Sequence, residues 1–206
     1  MFDGAARRVL DPWIDRLGRW VASKGVGADA VTVAAFVVGL AASALVASGL
    51  FLGGLVLLLV SRLGDGLDGA VARAHGRKTD FGGFLDIVLD FAFYGAIPFG
   101  FVLADPAANA IPGALLILSF YVNGASFLAY SIMAEKRGLK SEARGAKSLY
   151  FTTGLAEASE TLAVFVASCL LPAWFPWFAT IFAVICFYTA LSRIAEARRA
   201  FGREPE

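Results

Sequence analysis

Long apolar stretches alternate with short polar connectors along most of this chain. Six stretches come close to the roughly 20 residues a helix needs to span a bilayer. They fall at about 29–50, 52–74, 79–104, 109–135, 146–171 and 174–199. Thr32 stands near the start of the first and Gly39 inside it, and Pro98 predicts a kink in the third. Residues 1–25 carry a different pattern. Val9, Trp13, Leu17 and Trp20 fall on one helical side, while Arg7, Arg8, Asp15, Arg16 and Arg19 charge the remainder. That is the pattern of an amphipathic helix lying on a membrane surface, and it lacks the apolar core of a signal peptide. The predicted fold is an all-α integral membrane protein: six transmembrane helices preceded by an N-terminal amphipathic juxtamembrane helix. A single domain is expected over 1–206, with the helical bundle at 29–199, and no internal repeat or low-complexity linker is visible.

The connectors themselves are asymmetric in charge. Those near residues 50, 106 and 173 contain no Lys or Arg. Apart from Arg62, inside a predicted span about one turn deeper than Asp65, the basic residues lie instead in the N-terminal segment, at 73–78, in the EKRGLKSEARGAK connector and in the C-terminal tail. Short basic loops stay on the cytoplasmic side, so both termini are expected there, in a multi-pass inner (cytoplasmic) membrane protein. Trp174 and Trp177 then mark the opposite interface, and Trp13 and Trp20 the cytoplasmic one.

Composition agrees with the pattern. The 206 residues are 58% hydrophobic, and the mean hydropathy is +0.70, well above that of a soluble domain. A formal net charge of +1 gives no reason to expect nucleic acid as a partner. Cys169 and Cys186 both lie in apolar runs and read as small core hydrophobes rather than a disulfide or thiolate site.

The chemistry is concentrated in DGLDGAVARAHGRKTDFGGFLDIVLD, residues 65–90. Asp65 and Asp68 are three apart and Asp86 and Asp90 four apart, so each pair shares one helical face. Gly69 and Ala72 continue the first face, and Gly82 sits one turn before Asp86. Carboxylates are costly in a bilayer and point to a functional site. Four of them on converging faces would repel unless cations lie between, and all-oxygen ligands favour a hard ion such as Mg²⁺ or Mn²⁺.

The same stretch resembles the CDP-alcohol phosphotransferases, also called CDP-alcohol phosphatidyltransferases, whose signature is D-x2-D-G-x2-A-R-x8-G-x3-D-x3-D. Asp65, Asp68, Gly69, Ala72, Arg73, Gly82, Asp86 and Asp90 match it with every spacer intact. The resemblance implies transfer of a phosphatidyl or other phosphoalcohol group from a CDP-alcohol, with CDP-diacylglycerol the expected donor, to the hydroxyl of a small polar acceptor, releasing CMP. It implies two divalent cations held chiefly by Asp65, Asp68 and Asp86, with Asp90 as general base and a further metal ligand. It assigns Asp65, Asp68, Gly69, Ala72, Arg73 and Gly82 to the nucleotide or donor. It also implies a homodimer among membrane lipids. The alternative reading of the glycines is close helix packing, and His75, the lone histidine, reads as a solvated connector residue.

The acceptor is read from weaker signals. Lys136, Arg137, Lys140, Arg144 and Lys147 form a basic cluster on the motif's side, able to receive the phosphate of glycerol 3-phosphate or an inositol phosphate. The R-G-A-K-S stretch at 144–148 resembles the G-K-x-K-T stretch of phosphatidylglycerophosphate synthases, although Arg144 and the missing first lysine depart from it. The plainer reading is that these residues set orientation and bind anionic lipid. Arg193 is a further acceptor candidate. Thr153, Glu157 and Glu160 share a face inside the fifth span, where an acid is expected to pair with Arg62 or shape the acceptor pocket. Acids there would instead favour an amine-bearing acceptor such as serine. Asn123 and Ser126 read as interhelical hydrogen-bond partners. A divalent-cation transporter is the rival class, disfavoured because the acids cluster near one membrane face without an inverted repeat. An inactive assembly subunit is disfavoured by the intact motif.

Overall fold

The computed structural model describes residues 3–76, 79–138 and 158–202. These form α1 (Asp3–Ser23), α2 (Ala28–Ala47), α3 (Phe51–Ala74), α4 (Asp80–Ala104), α5 (Pro106–Lys136) and α6 (Ala158–Leu170). A short 3₁₀ turn, Pro172–Trp174, leads into α7 (Phe175–Phe201), and no strand occurs among the described residues. Lys140, Arg144, Lys147, Thr153 and Glu157 lie outside them.

Several boundaries follow from local chemistry. α2 stops at Ala47 rather than near 50 because Gly49 takes φ +78°, which a residue with a Cβ rarely adopts. Gly49 N–H then donates to the Val46 carbonyl and Leu50 N–H to that of Leu45, each at 2.9 Å, closing a Schellman motif. α5 starts at Pro106, three residues earlier than its apolar pattern predicts, because Asp105 caps it by accepting from Ala108 N–H at 3.1 Å. α4 runs unbroken through Pro98.

Among the described residues, four stretches are long and apolar enough to cross a membrane: Ala28–Ala47, Asp80–Ala104, Pro106–Lys136 and Pro172–Phe201. The 24-residue α3 has the length, about 36 Å at 1.5 Å per residue, but carries Arg62, Asp65, Asp68 and Arg73. The outer faces are apolar, with Val33, Val37, Leu40, Val56 and Leu118 exposed. Inside, Ser61, Ser119, Ser168 and Thr189 are buried with their hydroxyls bonded to backbone carbonyls. Apolar outside and hydrogen-bonded polar inside is the arrangement expected in lipid rather than in water.

α2 packs on α3 and α4, α4 on α5, α5 on α7, α6 on α3, and α1 on α3. At one end of the bundle, Phe101 stacks on Phe175 with ring centroids 4.4 Å apart and on Phe51 at 5.8 Å. Cys169 and Cys186 are buried free thiols within this core, as their apolar setting predicts. α1 reaches α3 through Gly18, where a Cβ would stand 2.6 Å from that of Ala70. Its Trp13, Leu17 and Trp20 remain exposed.

Candidate functional site

The helix–turn–helix from α3 to α4 lays the two halves of the acidic motif side by side. α4 begins sharply because Thr79 accepts the Gly82 N–H at 3.0 Å, which fixes the register of Asp86 and Asp90. One carboxylate oxygen from each of Asp65, Asp68 and Asp86 lies within 4.8 Å of the other two. At that spacing each anionic pair repels by about 3–4 kcal/mol for an effective dielectric near ~20, less where water screens it. Three such pairs are large beside the marginal stability of a fold, so the cluster has the charge, oxygen donors and spacing that suit a divalent cation. Thr32 on α2 donates to Asp68 Oδ2 at 2.6 Å, orienting the second acid. Sequence spacing marks Thr32 only as a residue near a helix start.

Asp90 stands outside that group of three. Its Oδ1 accepts from Arg62 Nη1 at 2.7 Å, and the same nitrogen is 3.6 Å from Asp65 Oδ1. The sequence suggests Glu157 or Glu160 of the fifth span as a partner of Arg62, or as part of the acceptor pocket. Glu157 lies outside the described residues, and among those described Arg62 meets Asp90 and Asp65 rather than Glu160. Arg62 is one turn before Asp65 on α3 and faces α4, whereas Glu160 accepts from its neighbour Ser159 at 3.0 Å. A partner on the adjacent helix gives no signal in linear spacing.

Beside the acids a cavity of about 950 Å³ opens, walled by Asp68, Gly69, Ala72, Gly82, Gly83 and Asp86. The nearest atom that a Cβ at Gly69 would meet is Arg73 Nη1 at 3.5 Å, and at Gly83 nothing lies within 4 Å. These two glycines leave space rather than close a helix contact. Gly82 is tighter, with Asp29 Oδ1 and Thr79 Oγ1 each 3.0 Å from its Cβ position. Asp29, Thr32, His75 and Thr79 also line the cavity. His75 is exposed, as expected of the connector, but Nε2 lies 3.3 Å from the Val26 carbonyl at the cavity's edge.

Arg73, expected at the donor phosphate or nucleotide, is exposed and donates to Asp15 Oδ1 of α1 at 2.8 Å. Of the basic candidates, Lys136 is exposed at the end of α5. Arg137 donates to the carbonyls of Phe201 at 2.8 Å and Ala200 at 3.3 Å, satisfying the C-terminal end of α7. Arg193 is half-buried, and its Nη1 binds Ser126 Oγ at 2.6 Å, Asn123 Oδ1 at 2.9 Å and Asn123 O at 3.0 Å. Asn123 and Ser126 are therefore the interhelical partners that their polarity predicts.

The family model for CDP-alcohol phosphatidyltransferases matches residues 25–191. The chain belongs to this family. Its members are transferases of substituted phosphate groups, so the chain is a membrane transferase of phospholipid biosynthesis. It is 42% identical over 194 residues to inner membrane protein YnjF of Escherichia coli (strain K12), covering 94% of each chain. It is 32% identical over 198 residues to the archaetidylinositol phosphate synthase of Methanothermobacter thermautotrophicus, covering 94% of this chain and 90% of that one. The fold matches the crystal structure of Mycobacterium tuberculosis phosphatidylinositol phosphate synthase PgsA1 with CDP-DAG bound. The TM-score is 0.72 at 21% identity, over 94% of this chain and 98% of that one. The same enzyme in complex with manganese and citrate gives a TM-score of 0.70 at 22% identity, over 88% and 87%.

Proposed function

We propose that this chain transfers the phosphatidyl group of CDP-diacylglycerol, or a close CDP-lipid, to the hydroxyl of a phosphorylated polyol and releases CMP. The observation that carries this reading is the Asp65–Asp68–Asp86 cluster opening onto the glycine-walled cavity, with Asp90 beside it. The solved neighbour that holds CDP-DAG supports the donor.

Asp65, Asp68 and Asp86 would hold the divalent cations, Mg²⁺ or Mn²⁺ and expected as a pair; a neighbour solved with manganese agrees with that choice. When bound, such ions neutralise a pyrophosphate and the charge left on departing CMP. Gly69, Ala72 and Gly82 shape the space for the nucleotide, with Arg73 at its outer edge. Asp90, engaged by Arg62 through Oδ1, is left as the base. Oδ2 of Asp90 takes the acceptor's hydroxyl proton, the hydroxyl oxygen bonds to the lipid-bearing phosphorus, and the bond from that phosphorus to CMP breaks. CMP leaves with the electron pair.

Relatives named archaetidylinositol phosphate synthases favour an inositol phosphate as acceptor over glycerol 3-phosphate. Arg193 and Lys136, with Lys140, Arg144 and Lys147, are the cations proposed to receive its phosphate, and Glu157 is proposed to line that pocket. Arg137 is set aside by its bonds to the end of α7. The placement in the membrane follows the charge asymmetry: α2 to α7 make six spans in a single domain, the acids and both termini face the cytoplasm, and α1 lies on that surface. The E. coli relative's description as an inner membrane protein agrees. A homodimer is proposed from the family resemblance.

The test is CMP release by purified protein with CDP-diacylglycerol and Mg²⁺ or Mn²⁺, offering inositol phosphate, glycerol 3-phosphate, inositol, serine and choline one at a time. CMP that depends on a phosphorylated polyol and vanishes in Asp90→Asn supports the reading. CMP formed with serine alone, or none with any acceptor from folded metal-binding protein, defeats it.

A further inference from the structure

Arg62 sits deep in the bundle. Its side chain is 13% exposed, on a helix whose neighbours are apolar, and an arginine at such depth is normally retained for a function. Two supports fix the guanidinium before any carboxylate is considered. The Phe93 ring lies under it, with Cζ 3.7 Å from the ring centroid, and Ser61 Oγ lies 3.4 Å from Nη2. Both supports are themselves anchored. Ser61 donates to the Ala35 carbonyl at 2.8 Å. Phe93 fits against Gly39 of α2, where a Cβ would stand 2.6 Å from the ring. The guanidinium is thus a fixed object, and Asp90 docks onto it.

We propose that Arg62 is a positioning residue for Asp90: it fixes the angle of that carboxylate and keeps it apart from the three-acid cluster. This rests on the reading of Asp90 as the base. Arg62 Nη1 touches Asp90 at 2.7 Å and Asp65 at 3.6 Å, so it sits between the base and the first acid of the cluster. Without the cation there, Asp90 is one helical turn from Asp86 and free to swing toward the same metal-binding space. With it, Oδ1 of Asp90 is occupied and Oδ2 is aimed. A purely stabilising role fits poorly. Arg62 Nε is buried with no hydrogen-bond partner among the described residues, and a buried pair left partly unsatisfied is no better than an apolar replacement.

The test uses Arg62→Lys and Arg62→Gln in the full chain, with the CMP assay and, separately, Mn²⁺ affinity by electron paramagnetic resonance without substrate. Lysine keeps the charge but loses the stacking plane and the fork, so it isolates orientation from charge. The expected result is a kcat lowered by about 10- to 100-fold, with donor KM and Mn²⁺ affinity unchanged. If Arg62→Gln does not fold, Arg62→Lys decides alone: wild-type kcat overturns the proposal and lowered kcat at unchanged Mn²⁺ affinity upholds it. A loss of Mn²⁺ affinity that accounts for the lost activity also overturns it, making Arg62 an organiser of the metal cluster. If the wild-type chain releases no CMP with any acceptor, the proposed reaction itself fails and this inference falls with it; an active wild type whose variants keep full kcat sinks the inference alone.

Discussion

The two ends of this bundle are built from the same helices and use the same residue types for opposite purposes. At the end holding Phe51, Phe101 and Phe175, glycine allows contact. Gly54 sits against Val46 with 2.6 Å between a would-be Cβ and a methyl, and Gly113 meets Val102 more closely still. Polar groups there are used up: Asn109 is buried and donates to the Phe101 carbonyl at 2.7 Å, and Asp105 caps a helix. At the acidic end, Gly69 and Gly83 face space, carboxylates face one another, and a cavity of about 950 Å³ separates the walls. One end carries the cohesion of the fold, which lets the other end hold groups that repel. Strain concentrated at a site and offset elsewhere is what a binding site for polyanions and cations requires.

If that division is real, substitutions at the two ends should move different measurements. The largest effect is expected from Phe101→Ala. It deletes the middle of the ring stack and should lower stability by about 3–5 kcal/mol, read as a fall in Tm in detergent. Mn²⁺ affinity of the protein that remains folded should not change. Asp86→Asn should do the reverse. Removing one of the three clustered carboxylates is expected to weaken Mn²⁺ binding by more than about 100-fold, beyond what loss of a merely supporting group costs. Tm in EDTA should rise, because repulsion within the cluster is relieved. A falling Tm would show that the acids are held together by something other than the packed end, and the comparison would break.

A matched pair of glycine substitutions sharpens the contrast. Gly69→Val adds its methyls to the cavity, so folding should survive while donor KM rises about 5- to 100-fold, the range set by overfilling a site. Gly113→Val has no room beside Val102 and should act on Tm with no kinetic signature of its own. Equal losses of Tm from the two would mean that the cavity at Gly69 is closed in the folded protein.

Much of the acidic end was legible in the chain because helical spacing is local. Asp65 with Asp68, and Asp86 with Asp90, are placed on shared faces by the 3.6-residue period alone, and the structure brings Asp65, Asp68 and Asp86 together. The apolar runs likewise mark α2 to α5 and α7 to within a few residues, while 146–157 of the fifth run lies outside the described residues. What stayed hidden was contact between helices. The partner of Arg62 is 28 residues away, that of Thr32 is 36 away, and that of Arg73 is 58 away on α1. Arg193 shows the same limit. Its position in α7 suggests a ligand-binding cation, and nothing in the linear pattern reveals that Asn123 and Ser126 orient it through Nη1. Composition gives the polarity of such residues, and only packing gives their partners.

The smallest effects compare two helix caps, one at each end. Thr79 caps α4 through the Gly82 N–H and Asp105 caps α5 through the Ala108 N–H, at 3.0 and 3.1 Å. Thr79→Ala and Asp105→Ala should each cost about 1 kcal/mol of stability. With the stability losses matched, the kinetics should separate. The first turn of α4 carries Gly82 and leads directly into Asp86, and Thr79 itself lines the cavity. Fraying there loosens the wall that faces the donor, so Thr79→Ala should raise donor KM severalfold. Asp105 starts α5 beside the ring stack, where a frayed turn meets no ligand, and its loss should leave kcat and KM as they were. A change in KM from Asp105→Ala equal to that from Thr79→Ala would mean that looseness at the packed end reaches the acids through the helices. The two ends would then be one cooperative unit rather than a scaffold and a site.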